Sequence, residues 1–384
     1  MDELENMGPV LLPEEEAKLA KAKLREQKFN VLRAHKKRTL YIICSVFGAV
    51  LLLVIGIKVS NQISKPINAS KIKPVDSITN DTQITQSKTI GGLQLNSRIK
   101  YGNKYASGVL PVGDKQYVTD APKKGYIYLC SANFVPEGQA GAQTRGPWFI
   151  NNNTQWDMNK KPAIAGSIDW TPKMTNKVEN GKRIITTNNL PNHHTGVFPV
   201  ASNDPARKYD ANPNTISEQS LTYELSAGPG QLSSPACMGG EVGVMLTGAA
   251  LFNAFDAGGR DAGAWEVQDT CDGHPQVSGE YHYHTLSRCI TEASVKDVIG
   301  YALDGYPITG PKVADDSILT TENLDECHGL VSEVMVDGKK LTTYHYVMTQ
   351  DFPYSVSCFK GKAIQPPGKH EAENAGPPPR QQRP

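Results

Sequence analysis

The chain has 384 residues, 39% of them hydrophobic, with 34 Gly, 26 Pro and 28 aromatic side chains in all, a composition that excludes both a wholly disordered chain and a long helical bundle. Forty basic side chains balance 39 acidic ones for a formal net charge of +1, so no global field draws in nucleic acid and no nucleic-acid partner is expected.

The balance conceals an asymmetry at the N-terminus. Residues 1–17 hold six acids and no base, while residues 18–38 hold nine bases and the single acid Glu26. Residues 14–38 are rich in helix formers with a weak apolar stripe at Leu19, Ala22, Phe29 and Leu32, and read as a solvated basic helix within a cytoplasmic tail, residues 1–39. Leu40 to Ile57 then runs eighteen residues without a charge. As a helix it reaches roughly 27 Å, close to the hydrocarbon thickness of a bilayer. It is apolar on every side, unlike a core helix, and 39 residues before it are too many for an ordinary signal-peptide n-region. The sequence therefore predicts a single membrane span over residues 40–58, with the lipid bilayer as partner. Arg33, Lys36, Lys37 and Arg38 abut it on the N-terminal side, which places the N-terminus in the cytoplasm and everything beyond Lys58 outside.

Residues 59–95 mix Ser, Thr, Asn, Gln and Lys with isolated isoleucines and no aromatic, the composition of a flexible stalk. Residues 96–362 form the expected ectodomain. Short β-prone runs at Tyr126 to Leu129, Ile184 to Thr187, Leu221 to Leu225, Val242 to Leu246, Tyr281 to His284 and Tyr344 to Met348 are separated by Gly, Pro, Asn and Asp. They predict a mainly β fold with few short helices, one of them around Gly248 to Phe255 or Ser294 to Ile299. Residues 363–384 read as a disordered Pro-rich tail. One cysteine, Cys44, falls in the apolar run, and six lie beyond it: Cys130, Cys237, Cys271, Cys289, Cys327 and Cys358. Six suits three disulfides in an oxidising compartment, which agrees with the orientation read from charge.

The stretch Cys271 to Cys289, CDGHPQVSGEYHYHTLSRC, carries the chemistry. Alternation along a strand puts His282 and His284 on one face and Tyr281 and Tyr283 on the other. The two histidine Cα atoms are then about 6–7 Å apart, and their imidazoles can converge on one ion. His274 lies one Gly-Pro loop upstream, and a Cys271–Cys289 bridge folds that loop back. His328, beside Cys327, and His345, between Tyr344 and Tyr346, are further candidate ligands. Histidine nitrogens suit zinc or copper rather than calcium. The competing reading is a polar core of hydrogen-bonded histidines with no metal. Tyr281 and Tyr283, and Asp304 in the Asp304-Gly305-Tyr306-Pro307 turn, are candidates to orient a histidine, although a turn role outranks a chemical one for Asp304.

Asp256, Asp261, Glu266 and Asp269 cluster around Gly258-Gly259 but follow no EF-hand register, and Arg260 is available to pair with one of them. His193 and His194 are expected to be exposed in a polar loop. No G-x-S-x-G, H-E-x-x-H or P-loop pattern is present, so no catalytic residue is assigned.

Gly273-His274-Pro275, Tyr281-His282-Tyr283-His284, Asp304-Gly305-Tyr306-Pro307-Ile308, Cys327-His328-Gly329 and Phe352-Pro353-Tyr354 with Cys358, in that order, resemble the YHYH domain, a bacterial family named for its tetrapeptide. The resemblance covers residues 190–362, through Asn203-Asp204-Pro205 and Asn212-Pro213-Asn214, and Thr309 departs from it where the pattern has an aromatic. It implies an exported or membrane-anchored domain of the bacterial cell envelope and assigns no activity. Six cysteines allow fifteen pairings; the one expected is Cys271–Cys289, Cys327–Cys358 and Cys130–Cys237. The functional expectation is a metal-holding domain. A metal-free scaffold that binds an envelope partner or small ligand, and a metal-dependent hydrolase or oxidoreductase, are the alternatives.

Overall fold

The structure is a computed structural model that describes residues 88–90, 93–95, 104–136, 141–290, 293–314 and 317–367. The basic tail, the apolar run Leu40 to Ile57, most of the stalk and nearly all of the Pro-rich tail lie outside these residues. Within the described residues no helix is long and apolar enough to cross a membrane.

Strands β1 (Lys88–Ile90) and β2 (Leu93–Leu95) pair antiparallel inside the segment read as a flexible stalk. Beyond them come β3 (Val109–Pro111), β4 (Tyr117–Val118), β5 (Ile127–Tyr128), β6 (Phe149–Ile150) and β7 (Gln155–Asp157). β3, β7 and β6 form a small sheet, and β4 and β5 a parallel pair. β8 (Met174–Glu179), β9 (Lys182–Thr187) and β10 (Leu221–Ser226) form an antiparallel meander in the order β10-β9-β8. In β10 the residues Leu221, Tyr223 and Leu225 point inward and alternate with exposed Thr222, Glu224 and Ser226, the signature of a sheet with one wet face.

The central sheet has eight strands. They are β11 (Glu241–Met245), β12 (Ala250–Phe252), β13 (Gly273–Pro275), β14 (Tyr281–Tyr283), β15 (Val298–Ala302), β16 (Pro307–Thr309), β19 (Gly329–Val336) and β20 (Lys339–Val347). Their order is β13-β14-β12-β11-β15-β16-β20-β19, and two further strands, β17 (Lys312–Ala314) and β18 (Ser317–Ile318), pair outside it. Every residue of β11 is buried, as expected for a strand covered on both faces.

The single helix expected around Gly248 to Phe255 or Ser294 to Ile299 is found at neither place. Gly248 turns the chain at φ +101°, and the following apolar run becomes β12, inserted between β11 and β14. An apolar run with no polar face buries equally well as a central strand. Ser294 to Asp297 closes a turn that leads into β15. The only α-helical turn among the described residues is α1 (Ala262–Trp265), where Asp261 accepts the Ala264 N–H as N-cap.

Eight tyrosines are buried in the core among the described residues, and five of them find a carboxylate for the hydroxyl. Tyr223 donates to Glu241 at 2.8 Å, Tyr281 to Asp269 at 3.0 Å, Tyr344 to Asp325 at 3.1 Å, Tyr346 to Asp304 at 2.6 Å and Tyr354 to Asp261 at 2.8 Å. Burying each ring is worth about 1.5–3 kcal/mol, provided the polar tip keeps a partner. Four of the buried acids, Glu241, Asp261, Asp269 and Asp304, are thus explained as tyrosine acceptors. Cys130–Cys237, Cys271–Cys289 and Cys327–Cys358 are bonded as expected, with Cα separations of 4.8, 5.1 and 4.6 Å.

Candidate metal centre

The edge strand β13 pairs antiparallel with β14, setting His274 directly opposite His282. Cross-strand partners share a face, and residue i+2 shares it too, so His274, His282 and His284 are gathered on one side of two strands. The connecting loop is closed by the Gln276 N–H to the Glu280 carbonyl and by Gly279 at φ +84°. Gly273 is required at the start of β13, because a Cβ there would lie 2.3 Å from the Tyr281 ring. The Cys271–Cys289 bridge ties the outer ends of the segment.

One ligand-capable atom from each imidazole lies within 4.8 Å of those of the other two, and all three residues are buried. His282 Nε2 and His284 Nε2 are 3.1 Å apart. Glu266, the residue that ends α1, brings its Oε2 to 3.3 Å from His284 Nε2 and 3.5 Å from His274 Nε2. Neither that oxygen nor His274 Nε2 has a hydrogen-bond partner. The opposite nitrogens face outward. His284 Nδ1 donates to the Asn253 carbonyl at 2.5 Å, and His282 Nδ1 to the Glu280 carbonyl at 3.3 Å. These acceptors place the protons on Nδ1 and leave the Nε2 lone pairs turned inward. His274 Nδ1 lies 3.4 Å from the Asn212 amide nitrogen, which also donates to the Pro275 carbonyl, so its tautomer is not held in the same way.

Burial pushes the His274 imidazole well down, and the charges of His282 and His284 add to the effect. Burial lowers His284 to about 4. Both are neutral at physiological pH, the state a metal ligand needs. Burial, with the Asp256 and Asp210 charges behind it, drives the Glu266 carboxyl well up. A cation held among these atoms would replace the proton that Glu266 otherwise keeps.

Phe252 stacks on His282 with ring centroids 4.2 Å apart, fixing that imidazole. The cluster opens into a cleft of about 640 Å³, bordered also by Asp210, Asn212, Asp256 and Gln276. No Lys or Arg lines this cleft among the described residues.

The other two histidines do not join. His345 places Nδ1 2.9 Å from Thr309 Oγ1 and Nε2 2.8 Å from Ser332 Oγ, which uses both nitrogens. β20 lies five strands from β14 in the sheet order, roughly 24 Å at ordinary strand spacing. His328 Nε2 is held by Thr349 Oγ1 at 3.0 Å. Asp304 touches no histidine; it accepts from Tyr346 and from the Tyr306 and Gly361 N–H groups. Tyr281 and Tyr283 bond to Asp269 and to Thr247 and His193, on the face away from the imidazoles. These three residues support the core and orient no ligand.

His193 is half-buried against Tyr283 rather than exposed. It also lies near Cys271 and Cys289, but both sulfurs are in a disulfide, so no thiolate is offered there. Of the loop carboxylates, Asp256 pairs with Arg260 and Asp261 with Tyr354, while Glu266 alone turns to the histidines. Sequence reasoning did not bring Glu266 to the histidines, because nothing in its spacing separates it from its acidic neighbours.

Fold and site define a disulfide-tied, β-rich domain with three buried imidazoles and one carboxylate at the edge of its main sheet. The family model described as YHYH protein matches residues 222–322, and a YHYH domain is present there, narrower than the 190–362 read from sequence. The match contains His274 and the Tyr281 to His284 tetrapeptide, but not the Cys327-His328-Gly329 segment. No curated protein and no solved structure matches the chain.

Proposed function

We propose that the domain holds a divalent transition metal through His274, His282, His284 and Glu266, on the outer side of the membrane crossed by Leu40 to Ile57. The observation that carries this reading is the spacing of the inward atoms, 3.1, 3.3 and 3.5 Å. A tetrahedral site with bonds of about 2.0–2.1 Å has donor atoms ~3.3–3.4 Å apart. Three nitrogens and one oxygen suit zinc or copper(II). Calcium would ask for more oxygens.

The test is the metal content of the full-length protein, purified in detergent with zinc or copper supplied, beside a His282→Ala/His284→Ala variant. About one equivalent in the wild type and none in the variant is expected. Negligible metal in both would leave the metal-free scaffold reading. The cleft beside the histidines favours a second reading, a metal-dependent hydrolase or oxidoreductase, which requires turnover that a chelator abolishes. The membrane assignment is tested by labelling a cysteine introduced into residues 1–17 of intact cells. Labelling from outside would reverse the orientation.

A further inference from the structure

Asn212-Pro213-Asn214 contributes no ligand to the metal cluster, yet its first side chain bears on one of the three imidazoles. Asn212 is buried, and both of its backbone groups are fixed: the N–H donates to Asp210 Oδ1 at 3.1 Å, and the carbonyl accepts the Val200 N–H at 3.1 Å. Two further bonds orient the side-chain amide. Oδ1 accepts the Asn214 N–H at 3.0 Å, and Nδ2 donates to the Pro275 carbonyl at 3.1 Å. Turning the amide over would set oxygen against the Pro275 carbonyl and N–H against the Asn214 N–H, so these partners fix which atom is which.

The amide nitrogen so placed lies 3.4 Å from His274 Nδ1. An amide nitrogen only donates, so Nδ1 accepts, and a neutral imidazole that accepts at Nδ1 carries its proton on Nε2. His274 is thus the reverse of His282 and His284, whose Nδ1 atoms face the Glu280 and Asn253 carbonyls. Its Nε2–H points into the cluster, 3.5 Å from Glu266 Oε2.

We propose, on the metal reading of the cluster, that Asn212 makes His274 the weak ligand of the site, so that the cation is held for exchange. A cation meets the inward lone pairs of His282 and His284 and the Glu266 carboxylate first. His274 joins only when one proton leaves Nε2 and one arrives at Nδ1, with no net change, and the lone pair freed on Nε2 goes to the cation. The new Nδ1–H then faces the Asn212 N–H, two donors with no acceptor between them, and that cost weakens the fourth bond. Asn212 acts through His274 and is a positioning residue at the border of the cleft.

Two readouts on the full-length protein in detergent test it. Nitrogen-15 NMR of the metal-free protein, labelled at the histidine imidazoles and with His274→Gln to assign the signal, reads the tautomer directly. His274 is expected to carry its proton on Nε2, and His282 and His284 on Nδ1. The second readout is zinc affinity by competition with a chromogenic chelator. Asn212→Asp offers Nδ1 an acceptor and should bind zinc about 10–100-fold more tightly, with His274 now protonated on Nδ1. Asn214→Asp adds the same charge beside the Pro275 carbonyl, where the Asn214 amide bonds, and should raise affinity far less. Should Asn212→Asp fail to fold, Asn212→Ala, which removes the opposing donor, should still bind zinc more tightly than wild type. A proton on Nδ1 of His274 in the metal-free wild type, or an affinity of Asn212→Asp no greater than that of Asn214→Asp, would overturn the proposal and leave the metal reading in place. No zinc bound by wild type or by Asn212→Asp, with the His274 proton on Nε2, would instead overturn the metal reading and with it the role given to Asn212.

Discussion

His282 Nε2 and His284 Nε2 face each other at 3.1 Å while both Nδ1 atoms are engaged by backbone carbonyls. With the protons so placed, two lone pairs point at one another in a buried space, and Glu266 Oε2 closes a third side without a partner of its own. A cation resolves all of these contacts at once. Glu266→Gln keeps the volume but replaces the only anionic donor with a neutral amide. The variant should fold normally and lose about 10–100-fold in zinc affinity, read by competition with a chromogenic chelator. His345→Gln should leave the affinity where it is. Equal affinity in Glu266→Gln and wild type would remove the carboxylate from the site.

The convergence of three histidines was legible because it rests on two periodicities, the strand alternation of Tyr281 to His284 and a short hairpin back to His274. Both are local. His345 sits in the same aromatic-His-aromatic pattern, yet it serves Thr309 and Ser332, since which strands become neighbours is decided by the order of the sheet. Glu266 was illegible for the same reason. It reaches the imidazoles because α1 ends where it does, beside a hairpin that begins seven residues later at Gly273. Of the fifteen pairings that six cysteines allow, the one expected is the one formed, with Cys130–Cys237 left once the other two are set.

Asp304, read from sequence as a turn residue and a candidate to orient a histidine, acts as a brace in the fold. Its carboxylate accepts from Tyr346 at 2.6 Å, from Gly361 at 2.9 Å and from Tyr306 at 3.2 Å, and it is 1% exposed. Asp304→Asn puts either an amide N–H against one of these donors or leaves a donor unmatched. A loss of about 2–4 kcal/mol in urea unfolding is expected, with metal content unchanged. Loss of metal from a protein of undiminished stability would instead return Asp304 to the site.

Burial holds His328 at about 3 and His345 at about 4, both below the ordinary 6.5. Above pH 6.5 neither state of the chain is protonated at these rings, and they contribute no pH dependence. Below it the unfolded chain takes up protons that the folded one refuses, so stability falls with pH until each folded value is passed. The slope is at most about 1.4 kcal/mol per pH unit for each ring. Asp261, raised to about 7 by burial, works in the opposite direction, so the effect must be read by difference. A His328→Gln/His345→Gln variant should show a shallower loss of stability between pH 6.5 and 4 than wild type. Parallel curves would mean that these rings are not held neutral.

The three disulfides should rank differently for stability and for metal. Cys130–Cys237 spans 107 residues, Cys327–Cys358 spans 31 and Cys271–Cys289 spans 18. Loop-closure entropy then assigns them roughly 4.8, 3.7 and 3.2 kcal/mol. The shortest is the one that ties the ends of the segment carrying His274, His282 and His284. Its Cys271→Ser/Cys289→Ser variant should lose the least stability and the most zinc affinity, because slack in that segment loosens the register that sets His274 against His282. Denaturant midpoints and chelator competition on the three paired-serine variants give both rankings. If zinc affinity simply tracks global stability across the three, the bridge at Cys271 has no special bearing on the histidines.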